Sequence, residues 1–147
     1  IFGKVKNISY IYIINNKTTI TMSTRSLICI QKENEIESKY CHWDGYPSHN
    51  GDILLNHYND EIEIDNLLAN DEYISSLESS IEETKFGGEE HNTFHKDEHT
   101  LLRNDEYGVE YIYLFKNGEW YISCTHRECP DVPYAKFILL SHILKTI

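Results

Sequence analysis

Alternating apolar and polar residues near the start of the chain predict a first β-hairpin. Its strands are residues 23–30 and 36–43, joined by the polar turn Gln31–Glu35. The hairpin places the segment Tyr40–Pro47 at its far end, where a glycine and a proline turn the chain.

Apolar residues at helical spacing replace this alternation after Pro47. One predicted helix begins at Ser48, a favourable N-cap, and a second begins at Asn59 or Asp60 and ends near Asn70. Each helix has an apolar stripe, formed by Ile53, Leu54 and Tyr58 in the first and by Ile64, Leu67 and Leu68 in the second.

The middle of the chain has the weakest pattern. Residues 73–81 predict one or two helical turns, and residues 85–107 predict a long loop because a glycine pair and many polar residues interrupt regular structure. His91, His95 and His99 recur there at four-residue steps, a spacing that would align them on a helix as metal ligands. Solvated histidines in a loop are the expected alternative.

A second hairpin is predicted around Asn117-Gly118, the strongest short signal for a type I′ turn. The implied pairs are Lys116 with Glu119, Phe115 with Trp120, Leu114 with Tyr121, and Tyr113 with Ile122. Residues 134–147 predict a C-terminal helix that packs on the sheet, with Phe137, Leu140, Ile143 and Leu144 at helical spacing. These elements predict an α+β fold: an antiparallel sheet of two hairpins, packed by short helices and a C-terminal helix.

Composition adds limits on function. A hydrophobic content of 40% in 147 residues is typical of one folded domain. The 24 acidic residues outnumber the 13 basic ones, giving a net charge of −11, which argues against binding to nucleic acid. No apolar run approaches the roughly 18 residues that a membrane span needs, and no signal peptide is evident. The cytoplasm is therefore the predicted location, where cysteines are thiols or metal ligands rather than disulfides.

The first 21 residues differ in composition from the rest of the chain. They contain no acidic residue, and fourteen of them are Ile, Asn, Lys or Tyr, which have AT-rich codons. Met22 is the only methionine. We therefore predict that residues 1–21 are a non-native leader and that residues 22–147 form a single domain; a genuine edge strand at Ser9–Ile14 is the alternative.

Between Met22 and Cys124 the chain resembles an uncharacterised family of small phage and prophage proteins. The resemblance is carried by the opening Met22-Ser23-Thr24-Arg25-Ser26-Leu27-Ile28, by Tyr40-Cys41-His42-Trp43-Asp44-Gly45-Tyr46-Pro47, by Gly51, Ile53-Leu54-Leu55 and His57-Tyr58, and by Tyr111-Ile112-Tyr113-Leu114-Phe115 with Trp120-Tyr121. It implies a phage origin and an accessory gene product, and it brings no known reaction.

The segment Tyr40–Pro47 concentrates stacking and hydrogen-bonding groups that are costly to bury unless paired. Aromatic faces stack on bases and arginine binds phosphate, so the segment predicts a pocket for a nucleotide-type molecule. The residues of this pocket are Arg25, His42, Trp43, Asp44, Tyr46 and His49. A purely structural corner explains the segment equally well.

Two other chemistries are open in the sequence. Cys124, His126 and Cys129 form a C-x-H-x-x-C pattern that could hold zinc, with Cys41 as a fourth ligand. A hydrolase could use Ser23 as an N-terminal nucleophile or Cys41 with neighbouring His42 and Asp44. Adjacent strand residues point to opposite faces, however, so a direct Cys41–His42 pair is not expected.

We therefore expect a phage accessory protein, more consistent with a binding protein than with an enzyme. Its expected partner is a nucleotide-type small molecule or a host protein, in a host-takeover or anti-defence role. A small hydrolase and a zinc-stabilised interaction protein are the alternatives, and the sequence leaves a homo-oligomer open.

Overall fold

The first predicted hairpin forms the centre of the sheet in the computed structural model, which describes residues 13–14, 17–18, 24–103, 108–129 and 131–146. The strands are β1 (Ile13–Ile14), β2 (Lys17–Thr18), β3 (Ser26–Gln31), β4 (Ile36–Trp43), β5 (Glu72–Ser76), β6 (Lys85–Glu89), β7 (Thr93–His95), β8 (Tyr111–Lys116), β9 (Glu119–Cys124) and β10 (Ile138–Leu139). The helices are α1 (Asp52–His57), α2 (Glu61–Leu68), α3 (Glu98–Leu102) and α4 (Leu140–Thr146), and a π-helical segment, Pro47–Gly51, precedes α1.

The predicted α+β class is confirmed, with a sheet that is mixed rather than wholly antiparallel. Its strand order is β10-β9-β8-β3-β4-β5-β6, and β7 pairs with β4 beside β5. The two predicted hairpins, β3–β4 and β8–β9, join through a parallel pairing of β3 with β8. A second parallel pairing joins β4 to β5.

Alternating residues give the sheet two apolar faces. On the first face Ile28, Tyr113 and Trp120 are buried together with residues of α1, α2 and α4. On the second face Leu27, Cys29, Ile112 and Leu114 are buried with Leu101 of α3 and Val109. The central strands are therefore apolar on both sides, as covered strands usually are.

Local signals in the sequence were accurate where a turn or a cap fixes the backbone. Asp60 accepts a hydrogen bond from the main-chain nitrogen of Ile62 at 3.0 Å and caps α2 as predicted. The β8–β9 register is the predicted one. Asn117 and Gly118 both have positive φ angles, 53° and 78°, as a type I′ turn requires.

Four local predictions are wrong. The first helical segment begins at Pro47 after Tyr46, so Ser48 is an exposed residue inside it rather than its cap. Residues 73–81 contain most of the strand β5 rather than helical turns, because this segment pairs with β4 on one side and with β6 on the other. Residues 85–103 contain β6, β7 and α3 instead of one long loop, and residues 104–107 of that prediction lie outside the described residues. The C-terminal helix begins at Leu140, because Ile138–Leu139 pairs with β9.

The strand β6 forms despite its two glycines because one of them accommodates an aromatic ring. A Cβ atom at Gly87 would collide with the ring of Tyr73 on β5, whereas one at Gly88 would make ordinary contact at 3.9 Å. The glycine that looked like a breaker in the sequence therefore allows a close contact between strands.

The predicted leader overlaps the described residues only at β1 and β2, which form a separate antiparallel pair. The rest of residues 1–21, and the start at Met22, lie outside the described residues, so both stay predictions. No helix of the described residues is long and apolar enough to cross a membrane.

Candidate functional site

The end of β4 divides the Tyr40–Pro47 segment between the two faces of the sheet. The side chain of Cys41 is fully buried on the first face, as part of the main core. Tyr40 packs against the second-face cluster and is half-buried, as is His42. The predicted separation of Cys41 from His42 therefore follows from strand alternation.

Four rings form an aromatic patch at this end of β4: Tyr40, His42, Trp43 and Tyr73. The phenol oxygen of Tyr40 lies 2.8 Å from His42 Nδ1. The Tyr73 ring meets Tyr40 edge-on at 5.6 Å and His42 at 6.4 Å between centroids. Trp43 stacks beside His42 at 6.1 Å with an interplanar angle of 15°, and 41% of Trp43 is exposed.

Tyr73 is the member of the patch that sequence reasoning missed. It was assigned to helical turns, whereas the parallel pairing of β5 with β4 places it beside the two predicted rings. The pair Gly87-Gly88 is the sequence signal that could have found it, because a glycine inside a strand often marks the approach of a bulky neighbour.

Arg25 supplies positive charge next to the patch. Burial, with a smaller contribution from the Arg25 charge, lowers the pKa of His42 below its usual value. Burial raises the pKa of Tyr40 to about 12, although the Arg25 charge opposes this. Burial also raises the pKa of Glu110, again against the effect of Arg25. At neutral pH the patch therefore presents a neutral imidazole and neutral phenol beside a guanidinium.

The other predicted pocket residues lie apart from this patch. Tyr46 contacts Tyr111 at 6.1 Å between ring centroids and is 49% exposed. His49 Nδ1 lies 2.9 Å from Asn50 Oδ1 and 3.2 Å from the Asp44 carbonyl oxygen. The structure thus brings His42 and Trp43 together, with the Arg25 charge close enough to affect His42, and places Asp44, Tyr46 and His49 in a neighbouring turn.

That turn has the contacts of a structural corner. The main-chain nitrogen of Gly45 donates to the Thr24 carbonyl at 2.6 Å, and Tyr113 Oη donates to the Gly45 carbonyl at 2.6 Å. A Cβ atom at Gly45 would lie 2.7 Å from the Thr24 oxygen, so only glycine fits without a shift. Buried Asn50 donates to Ser26 Oγ and to Cys41 Sγ, both at 3.3 Å.

These contacts do not favour Cys41 as a nucleophile. Its thiol donates to the Trp43 carbonyl at 3.4 Å, and burial raises its pKa to about 11. A nucleophilic cysteine needs the opposite shift, since the thiolate is the reactive form. The other candidate nucleophile, Ser23, lies outside the described residues.

The predicted zinc ligands are only partly brought together. Ligand atoms of Cys124, His126 and Cys129 all lie within 4.8 Å of one another. Cys41 does not belong to this group of ligand atoms and is not a fourth ligand. Its sulfur contacts Trp43 and Asn50 instead. Cys124 and Cys129 are joined by a disulfide, which corrects the prediction that the cysteines are thiols or ligands; Cys29 and Cys41 are free thiols, as predicted.

The three regularly spaced histidines do not share a helix. His91 is exposed before β7, His95 is buried in β7, and His99 is exposed in α3. His95 Nε2 lies 3.3 Å from Ser38 Oγ and 3.4 Å from Thr93 Oγ1. The four-residue spacing therefore has no structural counterpart as a common ligand set.

Comparison of the chain with protein-family models, with curated proteins and with solved structures finds no match in any of the three.

Proposed function

We propose that the protein is a non-catalytic binding protein whose aromatic patch holds a small molecule with an aromatic ring and an anionic group, as a nucleotide has. The observation that carries this proposal is the group of four rings beside the charge of Arg25. Aromatic faces stack on bases with a contribution of about 1–3 kcal/mol per base, and guanidinium groups bind phosphate oxygens.

The protonation states of the patch support a ligand that combines a neutral ring with an anion. The lowered pKa of His42 favours the neutral imidazole at neutral pH, and the Tyr40 phenol, whose pKa is raised to about 12, is uncharged there as well. The net charge of −11 repels long polyanions, so a small ligand held by local contacts fits better than a nucleic acid.

The phage resemblance suggests the biological setting for this binding. A phage accessory protein that holds a nucleotide-type signal inside the host would act in host takeover or anti-defence. A host protein that docks on the same rings is the other partner that the sequence favours.

The two tryptophans make the binding measurable. Trp43 belongs to the patch, whereas Trp120 is 2% exposed and donates to the Tyr58 carbonyl at 2.7 Å in the core. Titration with nucleoside mono- and triphosphates should quench the fluorescence of Trp43, and calorimetry should give the same dissociation constant. Chromatography after long incubation should recover the nucleotide unchanged.

Variants identify the surface responsible. Tyr73→Ala and Arg25→Gln should each weaken binding at least tenfold without lowering the melting temperature by more than a few degrees. Phe94→Ala is the matched control, because Phe94 is also an exposed aromatic residue on a strand but pairs at the opposite end of β4. Equal losses in Phe94→Ala, or no binding by the wild type, would overturn the proposed small-molecule site.

A further inference from the structure

The loop that follows β9 holds three soft metal ligands in a short stretch of chain. In the described part of the chain, Cys124, His126 and Cys129 are the one group of three or more His, Cys, Asp or Glu residues with ligand atoms this close together. Cys129 Sγ lies 3.7 Å from His126 Nε2. Cys124 is buried, Cys129 half-buried and His126 exposed, so the group has a protected base and a side open to solvent.

Main-chain hydrogen bonds hold the two ends of this loop together without the disulfide. The nitrogen of Cys124 donates to the Pro133 carbonyl at 3.1 Å, and the nitrogen of Ala135 donates to the Cys124 carbonyl at 3.0 Å. The nitrogen of Thr125 donates to the Glu110 carbonyl at 3.0 Å, and its hydroxyl donates to the Val109 carbonyl at 2.7 Å. These bonds hold Cys124 in place and close the loop that contains Cys129 whether or not the disulfide is formed.

We propose that this loop is a redox-controlled zinc site: the disulfide form excludes the metal, and the reduced form binds one Zn²⁺ through Cys124, His126 and Cys129. A dithiol reductant supplies the two electrons and two protons that convert the disulfide into two thiols, and it becomes a disulfide itself. Zn²⁺ then binds as the two thiols release their protons to solvent.

The distances fit both forms of the loop. The Cα atoms of Cys124 and Cys129 are 6.3 Å apart, inside the range of disulfides. Two thiolates on one tetrahedral zinc lie about 3.8 Å apart, given Zn–S bonds of about 2.3 Å. Rotation of the two side chains is enough to make this separation at the observed Cα–Cα distance of 6.3 Å.

The imidazole must change one contact when zinc binds. His126 Nδ1 accepts a long hydrogen bond from the Glu128 nitrogen at 3.3 Å. When zinc binds Nε2, the imidazole proton moves to Nδ1 and this hydrogen bond breaks. The loss of one long hydrogen bond is small beside the gain of two zinc–thiolate bonds. Three protein ligands leave a fourth position for water. This site is separate from the aromatic patch, and its test does not depend on the proposed function.

The test uses the full chain and Co²⁺ as a spectroscopic probe for the zinc position. Protein reduced with dithiothreitol and desalted without oxygen should take up one Co²⁺, with the charge-transfer and d–d absorption of a tetrahedral thiolate site, and Zn²⁺ should displace it. The same protein left oxidised should show none of this absorption. A reduced protein that binds no Co²⁺ would overturn the proposal.

Variants separate the proposed ligands from other thiols and histidines. The double variant Cys124→Ser/Cys129→Ser keeps buried Cys29 and Cys41 and should lose the charge-transfer band completely. His126→Ala keeps the disulfide and should weaken metal binding by more than the roughly 10–100-fold typical of lost outer-shell partners. His99→Ala, an exposed histidine on α3, is the control and should bind normally. Normal binding by either ligand variant would overturn the assignment.

Discussion

Tyr40 and His42 lie two residues apart on β4, and the Tyr40 phenol is 2.8 Å from His42 Nδ1. When the phenol donates to Nδ1, that nitrogen supplies the lone pair, and the single N–H of the neutral imidazole lies on Nε2. A hydrogen bond to the neutral form adds to the burial that already lowers the pKa of His42.

The first prediction follows from this bond. Tyr40→Phe should raise the pKa of His42 towards its ordinary value and lower the free energy of unfolding by about 1 kcal/mol, the net contribution of one hydrogen bond. Nuclear magnetic resonance titration of the His42 ring protons measures the pKa. An unchanged pKa in Tyr40→Phe would mean that the phenol does not donate to this imidazole.

The lowered pKa of His42 also predicts a pH dependence of stability. Below the unfolded pKa of about 6.5, the unfolded state binds a proton that the folded state accepts less readily. The contribution of His42 to the free energy of unfolding is therefore complete above this pH. It is lost as the pH falls through the lowered pKa of the folded state. Between pH 7.5 and pH 5.5, the free energy of unfolding measured with urea should fall less in His42→Gln than in the wild type. The control His57→Gln, at an exposed histidine, should show the same fall as the wild type.

Two adjacent glycines allow a matched test of the Tyr73 position. In Gly87→Ala the new methyl group would occupy the space of the Tyr73 ring, so the ring must move away from Tyr40 and His42. In Gly88→Ala the methyl group has room, with its nearest contact at 3.9 Å. We expect the ring-proton resonances of His42 to shift in the first variant only; equal shifts in both would contradict the placement of Tyr73.

Lys39 is a buried lysine with main-chain partners. Its ammonium group donates to the carbonyl oxygens of Asn70 at 2.6 Å and Glu72 at 2.7 Å, and so ties β4 to the connection between α2 and β5. Lys39→Met should lower the free energy of unfolding by at least about 2 kcal/mol, because two carbonyls lose charged donors.

A lysine at the surface gives the matched control for Lys39. Lys32 forms a 2.6 Å ion pair with Asp65, and both side chains are substantially exposed. Lys32→Met should cost less than about 1 kcal/mol, as is usual for exposed pairs. Urea denaturation of both variants gives the comparison, and similar losses would show that burial does not set the contribution of Lys39.

Thiol reactivity tests the rejection of Cys41 as a nucleophile. Because Cys41 is fully buried and burial raises its pKa to about 11, iodoacetamide at pH 8 should leave it unmodified in the folded protein. Mass spectrometry should find it alkylated only after denaturation. Rapid modification of Cys41 in the folded state would revive the hydrolase alternative.

The sequence by itself determined the features that depend on a few neighbouring residues. Asn117-Gly118 set the β8–β9 register because two consecutive positive φ angles suit few other residue pairs. Asp60 set the start of α2 because its side chain bonds the first turn directly. Alternation along β4 separated Cys41 from His42 in the same local way.

Only the tertiary structure decided which distant segments meet. Residues 72–76 look neither clearly helical nor clearly extended, and their pairing with β4 makes them a strand and brings Tyr73 to His42. Gly87 reads as a break in the sequence and becomes a strand position because the Tyr73 ring needs its space. Cys124 and Cys129 suggested a metal, and the fold of the loop after β9 brings their sulfur atoms into a disulfide. The first two outcomes depend on contacts between residues far apart in the chain, whose free energies override local propensity, and the disulfide depends on how the rest of the fold holds its loop.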